Sequence, residues 1–344
     1  MTLRNLTPLV CLAFLLAGCG GHKSPGGPSA NPPQITCPAD ISIRNVSTPS
    51  QAVNFDAPSV TGGAPPVQTT CTPASGSTFP LGATTVNCTA ADNSARTAMC
   101  SFNVTLSGFS IGATKYEAFG DSLTAGETGH SSIYVPLFDA IDLPNAYPTK
   151  LQAEFDAIYP GQGVVVINKG HSGDTIEQID QTIRDVVPRD RPNAVLILGG
   201  YNDLGNPGRC SVGQAATPTC RAAIAAVGLG VRDCIRHTRE ANAGVQFIFV
   251  STLTPPGLTG SLRPDPDAII QTNVQIRQQV AAGGAVLVDS YNAFIGHEAE
   301  YVNADGLHLT PAGYQALADT FFAAIQATVP QTPLSRGFLR KPGS

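Results

Sequence analysis

The spacing of apolar and polar positions changes character near Gly108. Before it, short runs alternate between the two: Ile41–Ile43, Ala52–Phe55, Thr84–Thr89 and Cys100–Leu106. Period-two alternation turns one face of a strand to a core and the other to water. Gly62-Gly63 and Pro65-Pro66 punctuate these runs, as the turns of a small sandwich require. After Gly108 the apolar runs become continuous: Tyr116–Phe119, Val164–Ile167, Ala194–Leu198, Val245–Val250 and Ala285–Val288. Helix-period segments separate them, over Tyr147–Ile158, Thr175–Val187, Arg221–Asn242, Asp267–Ala282 and Pro311–Ala327. Continuous apolar strands alternating with helices predict a parallel sheet covered on both faces.

Five such strands predict an α/β fold over 112–330, a flavodoxin-like, three-layer α/β/α doubly wound sheet, behind an all-β sandwich over 34–107. Residues 331–344 are expected to be a C-terminal tail. The sandwich has too few residues for a large core, and Cys37, Cys71, Cys88 and Cys100 suggest two disulfides there. Three connectivities are open, with Cys37–Cys100 and Cys71–Cys88 favoured. Cys210 and Cys220 bracket a loop and can pair, which leaves Cys234 as a buried thiol. A zinc site is the competing reading of the cysteines, but C-x-x-C and H-x-x-x-H spacings are missing.

The first residues hold a basic start at Arg4, an apolar stretch Leu9–Leu16 and small residues before Cys19. This is the pattern of an export signal over 1–18, too short to be a good membrane span. Leu16-Ala17-Gly18-Cys19 resembles the bacterial lipobox, which implies that Cys19 is a lipid anchor and that the membrane is one partner. Gly20 after the cysteine implies, by the same resemblance, the outer membrane. An incidental cysteine in a plain secretory signal is the alternative. Residues 19–33 are mostly Gly, Pro, Ser and Asn and are expected to be a flexible tether. A net charge of −5 without a dense basic cluster argues against nucleic acid as a partner.

Ligands of doubly wound folds bind beyond the carboxyl ends of the strands. Polar clusters occupy those places. Gly120-Asp121-Ser122-Leu123 follows the first strand, Asn168–Gly173 the second and Gly199–Asp203 the third, while Asp305-Gly306-Leu307-His308 precedes the last helix. Serine is a weak nucleophile unless a base activates it and a third group orients that base. His308 is the candidate base, because Asp305, three residues earlier, can reach its Nδ1–H and leave Nε2 free. Gly306 permits the turn between them. Asp121 and Asp203 are expected to brace their loops. Ser172 ranks below Ser122 because Asp174 breaks the G-x-S-x-G pattern. His130, His171 and His297 are expected in loops or on the surface. No phosphate loop or G-x-G-x-x-G opens a helix, so cofactors are not implied.

Taken in order, the four clusters resemble the SGNH/GDSL hydrolase family over Thr114–Val329. The resemblance implies catalytic Ser122, Asp305 and His308, and an oxyanion hole from the backbone N–H groups of Ser122 and Gly173 with the Asn202 side chain. The N-terminal segment resembles a hyalin-repeat (HYR) module in Ile35–Pro38, Ser75–Gly82, Thr85–Asp92 and Cys100–Val104. That implies an immunoglobulin-like sandwich with spacer or cell-surface and polysaccharide contacts. It departs from the family at Ser94-Ala95-Arg96, where a Gly-Asn turn is usual.

The expected function is an exported serine ester hydrolase, carboxylesterase- or lipase-like, acting on a small ester or acylated substrate through an acyl-enzyme. The alternatives are a carbohydrate O-acetyl esterase and, in another class, an adhesion protein with a vestigial hydrolase domain. Two loops are candidates for specificity. They are Glu127–Pro144, with Ile133–Phe138 as an acyl pocket or lid, and Leu204–Cys220, as a wall of the site.

Overall fold

In a computed structural model of the chain, strand β1 (Lys115–Gly120) is paired on both sides. It runs parallel to β2 (Val165–Gly170) with Tyr116 opposite Val166, and to β3 (Ala194–Leu198) with Tyr116 opposite Ala194. β4 (Phe247–Ser251) and β5 (Val286–Val288) extend the sheet to the order 2-1-3-4-5. This is the flavodoxin-like order, and every residue of β3 is buried, as a strand covered on both faces must be.

The structure describes residues 31–44, 46, 48–129, 142–205 and 209–333. The expected export signal, Cys19, His130 and the segment Ile133–Phe138 lie outside the described residues. The described chain forms two compact units, one of residues 31–38, 55–75 and 86–101, the other of residues 39–54, 76–85 and 102–333.

In the larger unit the helices are α1 (Ser122–Ala125), α2 (Tyr147–Ile158), α3 (Ile176–Asp190), α4 (Tyr201–Gly205), α5 (Pro218–Ala241), α6 (Pro266–Gly283), α7 (Ser290–Phe294), α8 (Glu298–Tyr301) and α9 (Pro311–Thr328). Right-handed crossovers send α2 to one face of the sheet and α3, α5 and α6 to the other. Packing follows that rule, with α3 against α5, α5 against α6, and α2 against α9. In α3 the buried residues Ile176, Ile179, Ile183, Val186 and Val187 recur at helix spacing. Thr217, Asp265 and Thr310 cap the starts of α5, α6 and α9, each just before a proline that needs no N–H partner. Tyr147 stacks on Phe321, which joins α2 to α9 in the core. No helix among the described residues is long and apolar enough to cross a membrane.

One expected boundary is corrected. Gln331–Pro333, assigned above to the tail, pairs antiparallel with Phe109–Ile111, and Gly112 N–H donates to the Pro330 carbonyl at 2.9 Å. The segment has no apolar alternation to announce a strand; its pairing depends on a partner more than two hundred residues away. The same unit contains the parallel pair Ile41–Arg44 with Val104–Ser107 and the antiparallel pair Ser50–Ala52 with Thr78–Pro80.

The smaller unit pairs Gln34–Thr36 with Ser59–Thr61, and Gln68–Thr72 with residues 87–91. Disulfides join Cys37 to Cys100 and Cys71 to Cys88. The departure at Ser94-Ala95-Arg96 is carried by Asp92. Its Oδ1 accepts from the N–H groups of Ser94 and Arg96, and its Oδ2 from Ala64 N–H and Arg96 Nε. Ala95 takes φ 59°, the left-handed geometry that the usual glycine-containing turn would adopt at less cost. Burial works against the Asp92 charge, but these hydrogen bonds outweigh it and lower its pKa to about 2.

Candidate active site

Ser122 opens α1 at the carboxyl end of β1, the central strand of the site. Asp121 caps that helix, with Oδ1 accepting from Leu123 N–H at 3.1 Å. Two glycines make the position possible by close approach. A Cβ on Gly120 would lie 2.1 Å from Thr124 Oγ1 and 2.3 Å from the Leu198 carbonyl, and one on Gly170 would lie 2.4 Å from Ala125 N. Any side chain there would push α1 off the sheet.

His308 approaches from the loop before α9. Its Nε2 lies 3.0 Å from Ser122 Oγ and its Nδ1 lies 2.6 Å from Asp305 Oδ2. Asp305 Oδ1 accepts from the N–H groups of Leu307 and His308 at 2.9 and 3.0 Å. The carboxylate is thus fixed before it meets the ring. The loop is pinched by an antiparallel bridge between Val302 and Leu309 and by Asn303, whose Nδ2 donates to the carbonyls of Thr128 and Leu309. All three residues of the relay are buried, with Ser122 5 % exposed.

Burial opposes a charged imidazole, but Asp305 first, then Glu127 and Asp121, outweigh it and hold the His308 pKa above its ordinary 6.5. For Asp305, burial raises the pKa, and the His308 and backbone hydrogen bonds lower it further than burial lifts it. Asp121 is different. Full burial dominates and pushes its carboxyl to about 7, against the pull of Leu123 N–H and His308.

Gly173 lies in the loop after β2, and Asn202 in α4, directly after β3. Gly173 has φ +88° in an exposed turn, and His171 N–H in the same loop donates to the Gly120 carbonyl at 2.9 Å. Asn202 Nδ2 donates to the Asp174 carbonyl at 2.9 Å, so one amide proton joins α4 to the loop after β2. Asp203 Oδ2 accepts from Ile176 N–H at 2.9 Å and braces the start of α3. The loop from Cys210 to Cys220 is closed by a disulfide and tied to Asp265, which accepts from Gln214 and Ala215 N–H. Cys234 is free and buried. Among the described residues, His, Cys, Asp and Glu side chains form no group of three or more arranged to hold a metal.

A family model described as the GDSL-like Lipase/Acylhydrolase family matches residues 118–316, more than half of the chain. The chain belongs to that family. It is therefore a hydrolase of ester bonds. An HYR domain model matches residues 29–106 of this GDSL hydrolase. Among solved structures it is similar to the lipase/acylhydrolase from Enterococcus faecalis, at 23% identity, with 63% of this chain and 97% of that one covered and a TM-score of 0.48. It is also similar to an acetylxylan esterase from Geobacillus stearothermophilus, at 22% identity, covering 62% and 95%, with a TM-score of 0.47. A comparison with curated proteins gives no match.

Two side-chain pairings in this GDSL hydrolase, one at the site and one outside it, have no signal in the sequence. Glu127, treated above as the start of an apolar loop, has Oε2 3.7 Å from His308 Nε2. His237 Nδ1 lies 2.7 Å from Asp180 Oδ1, a contact between α5 and α3 away from the four motif clusters. Neither carries a motif, and both depend on which helices and loops come together.

Proposed function

We propose that Ser122, His308 and Asp305 act as nucleophile, base and orienter in hydrolysis of a carboxylic ester. The observation that carries this reading is the continuous relay, 2.6 Å from Asp305 to His308 and 3.0 Å from His308 to Ser122. Ser122 Oγ attacks the ester carbonyl carbon as His308 Nε2 takes its proton. The tetrahedral oxyanion is received by the N–H of Ser122, the N–H of Gly173 and the second amide proton of Asn202. The first N–H of a helix has no intrahelical partner, which suits Ser122 to that task. Collapse breaks the bond to the leaving oxygen, which takes the proton back from Nε2. Water, deprotonated by the same nitrogen, then releases the acid from the acyl-enzyme.

Hydrolysis of p-nitrophenyl acetate and longer esters by the wild type and by Ser122→Ala tests this. A loss of roughly a thousandfold or more in kcat is expected; equal rates would remove Ser122 from the role. Acetylated xylan in the same panel separates a sugar deacetylase from a carboxylesterase.

The reading extends to an exported, Cys19-lipidated protein of the bacterial cell envelope, at the outer membrane. Three disulfides support export, since such bonds persist in oxidising compartments; the Leu16–Cys19 string supports lipidation. Mass spectrometry of the mature N-terminus decides it, and an unmodified Cys19 would make the protein a secreted one. The HYR segment then acts as a spacer, without chemistry of its own.

A further inference from the structure

In the course just described, His308 Nε2 hands its proton to the departing oxygen, so the alcohol half of the ester leaves on the Nε2 side of Ser122. A second carboxylate lies on that side. Glu127 Oε2 is 3.7 Å from Nε2, on the ring nitrogen opposite the one that faces Asp305.

Glu127 is held there by its backbone. Its N–H donates to the Ser122 carbonyl at 2.9 Å, and its own carbonyl accepts from Tyr314 Oη on α9 at 2.5 Å. Gly126 before it turns the chain sharply, with φ +98° and no room for a Cβ, which would lie 2.6 Å from that of Ala146. The Thr128 carbonyl after it accepts from Asn303 Nδ2. The side chain therefore has a fixed origin, and it remains 17% exposed, open to a bound molecule. Among the described residues, Asp305 is bound to Nδ1 and two backbone N–H groups, and Asp121 is buried and caps α1 through Oδ1. Among the described residues, Glu127 is the carboxylate at ion-pair distance from Nε2.

We propose that Glu127 is a leaving-group subsite that selects esters whose alcohol carries a positive charge, an ammonium or quaternary ammonium two or three carbons from the ester oxygen. The inference rests on the Ser122–His308 reading given above. The ammonium of a 2-aminoethyl-type alcohol reaches about 4 Å from the ester oxygen, which brings it into range of Oε2 while the oxygen stays against Nε2. No extra bond is made or broken: the C–O bond cleaves, Nε2 supplies the proton, and the alcohol departs with its charge unchanged. Alcohols bearing phosphate or carboxylate are disfavoured by the same field. A partly exposed carboxylate is screened, so the preference weakens as salt rises.

The test compares acetylcholine with 3,3-dimethylbutyl acetate, a neutral ester of the same shape, by pH-stat titration on the full chain. Wild type, Glu127→Gln and Glu127→Asp are assayed at two salt concentrations, with Ser122→Ala as reference. The wild type is expected to favour acetylcholine about tenfold in kcat/KM, the ratio falling with salt. Glu127→Gln brings it close to one, and Glu127→Asp keeps part of it. Because the readout is a ratio within each variant, a general loss of activity does not affect it. Hydrolysis that depends on Ser122 but shows a wild-type ratio near one overturns the subsite alone. So does a Glu127→Gln that slows both esters equally, which would make Glu127 only a partner of His308. Hydrolysis of neither ester, or equal rates in Ser122→Ala, overturns the Ser122 reading and the subsite with it.

Discussion

Asn168 Nδ2 donates to the Thr124 carbonyl at 2.8 Å while its Oδ1 accepts from Gly170 N–H at 2.9 Å. The bond within β2 fixes the amide, and its other end holds α1, with Ser122 at its start, against the end of β2. Asn168→Ala removes both bonds and leaves a partly buried carbonyl without its donor. A cost of about 1–3 kcal/mol in stability is expected, with a fall of about tenfold in kcat because the Ser122 position loosens. Thermal unfolding and steady-state kinetics on one ester check this; an unchanged kcat would mean that α1 is held by the Gly120 and Gly170 contacts alone.

Asn202 spends one amide proton on the Asp174 carbonyl. If the other meets the oxyanion, Asn202→Ala lowers kcat by roughly a hundred- to a thousandfold with KM little changed. A fall of less than threefold, with the fold intact by circular dichroism, would take the side chain out of that role.

His308 must be neutral to accept the Ser122 proton. Its pKa is raised, through Asp305, Glu127 and Asp121 against burial, so the imidazolium persists to higher pH than in a free histidine. The acid limb of kcat/KM is therefore expected to bend above pH 6.5, with activity lost as pH falls through that value. Asp305→Asn should lower kcat by about four orders of magnitude through the wrong tautomer. A wild-type limb below pH 6.5 would contradict the electrostatic picture.

Glu117 is buried on β1, and neither carboxylate oxygen has a hydrogen-bond partner. Burial, then Asp190, pushes its carboxyl to about 7, against Lys169 and Lys115. The folded protein holds this proton more tightly than the unfolded chain, whose Glu titrates near 4.3, so stability falls as pH rises from about 4 to 7. Lys115 Nζ, 3.8 Å away, returns part of the cost. Glu117→Gln should raise stability at pH 8 by up to about 2 kcal/mol and have little effect at pH 4.5. Denaturant unfolding at the two pH values checks it, and equal effects at both would refute the assignment.

The fold was legible because each sheet strand overlaps a mostly apolar run set between helix-period segments. Ala194–Leu198 and Phe247–Ser251 lie where the runs predict them. The short helices α1, α4, α7 and α8 were not legible, since four or five residues cannot show a period of 3.6. Nor was the strand at Gln331–Pro333, which has no pattern of its own.

Class and candidate chemistry were readable from local patterning along the chain. Local patterning sets the alternation of strand and helix, and the four polar clusters mark the candidate nucleophile, base and orienter, because each cluster follows a strand or precedes a helix; the candidate oxyanion donors came from the family resemblance. Only the tertiary structure decided what surrounds them. Glu127 lies 181 residues before His308 and in no motif, yet the turn at Gly126 and the Tyr314 hydrogen bond set its carboxylate 3.7 Å from Nε2. Contacts of that kind arise when loops from distant strands converge on one edge of a sheet, and no local period encodes them.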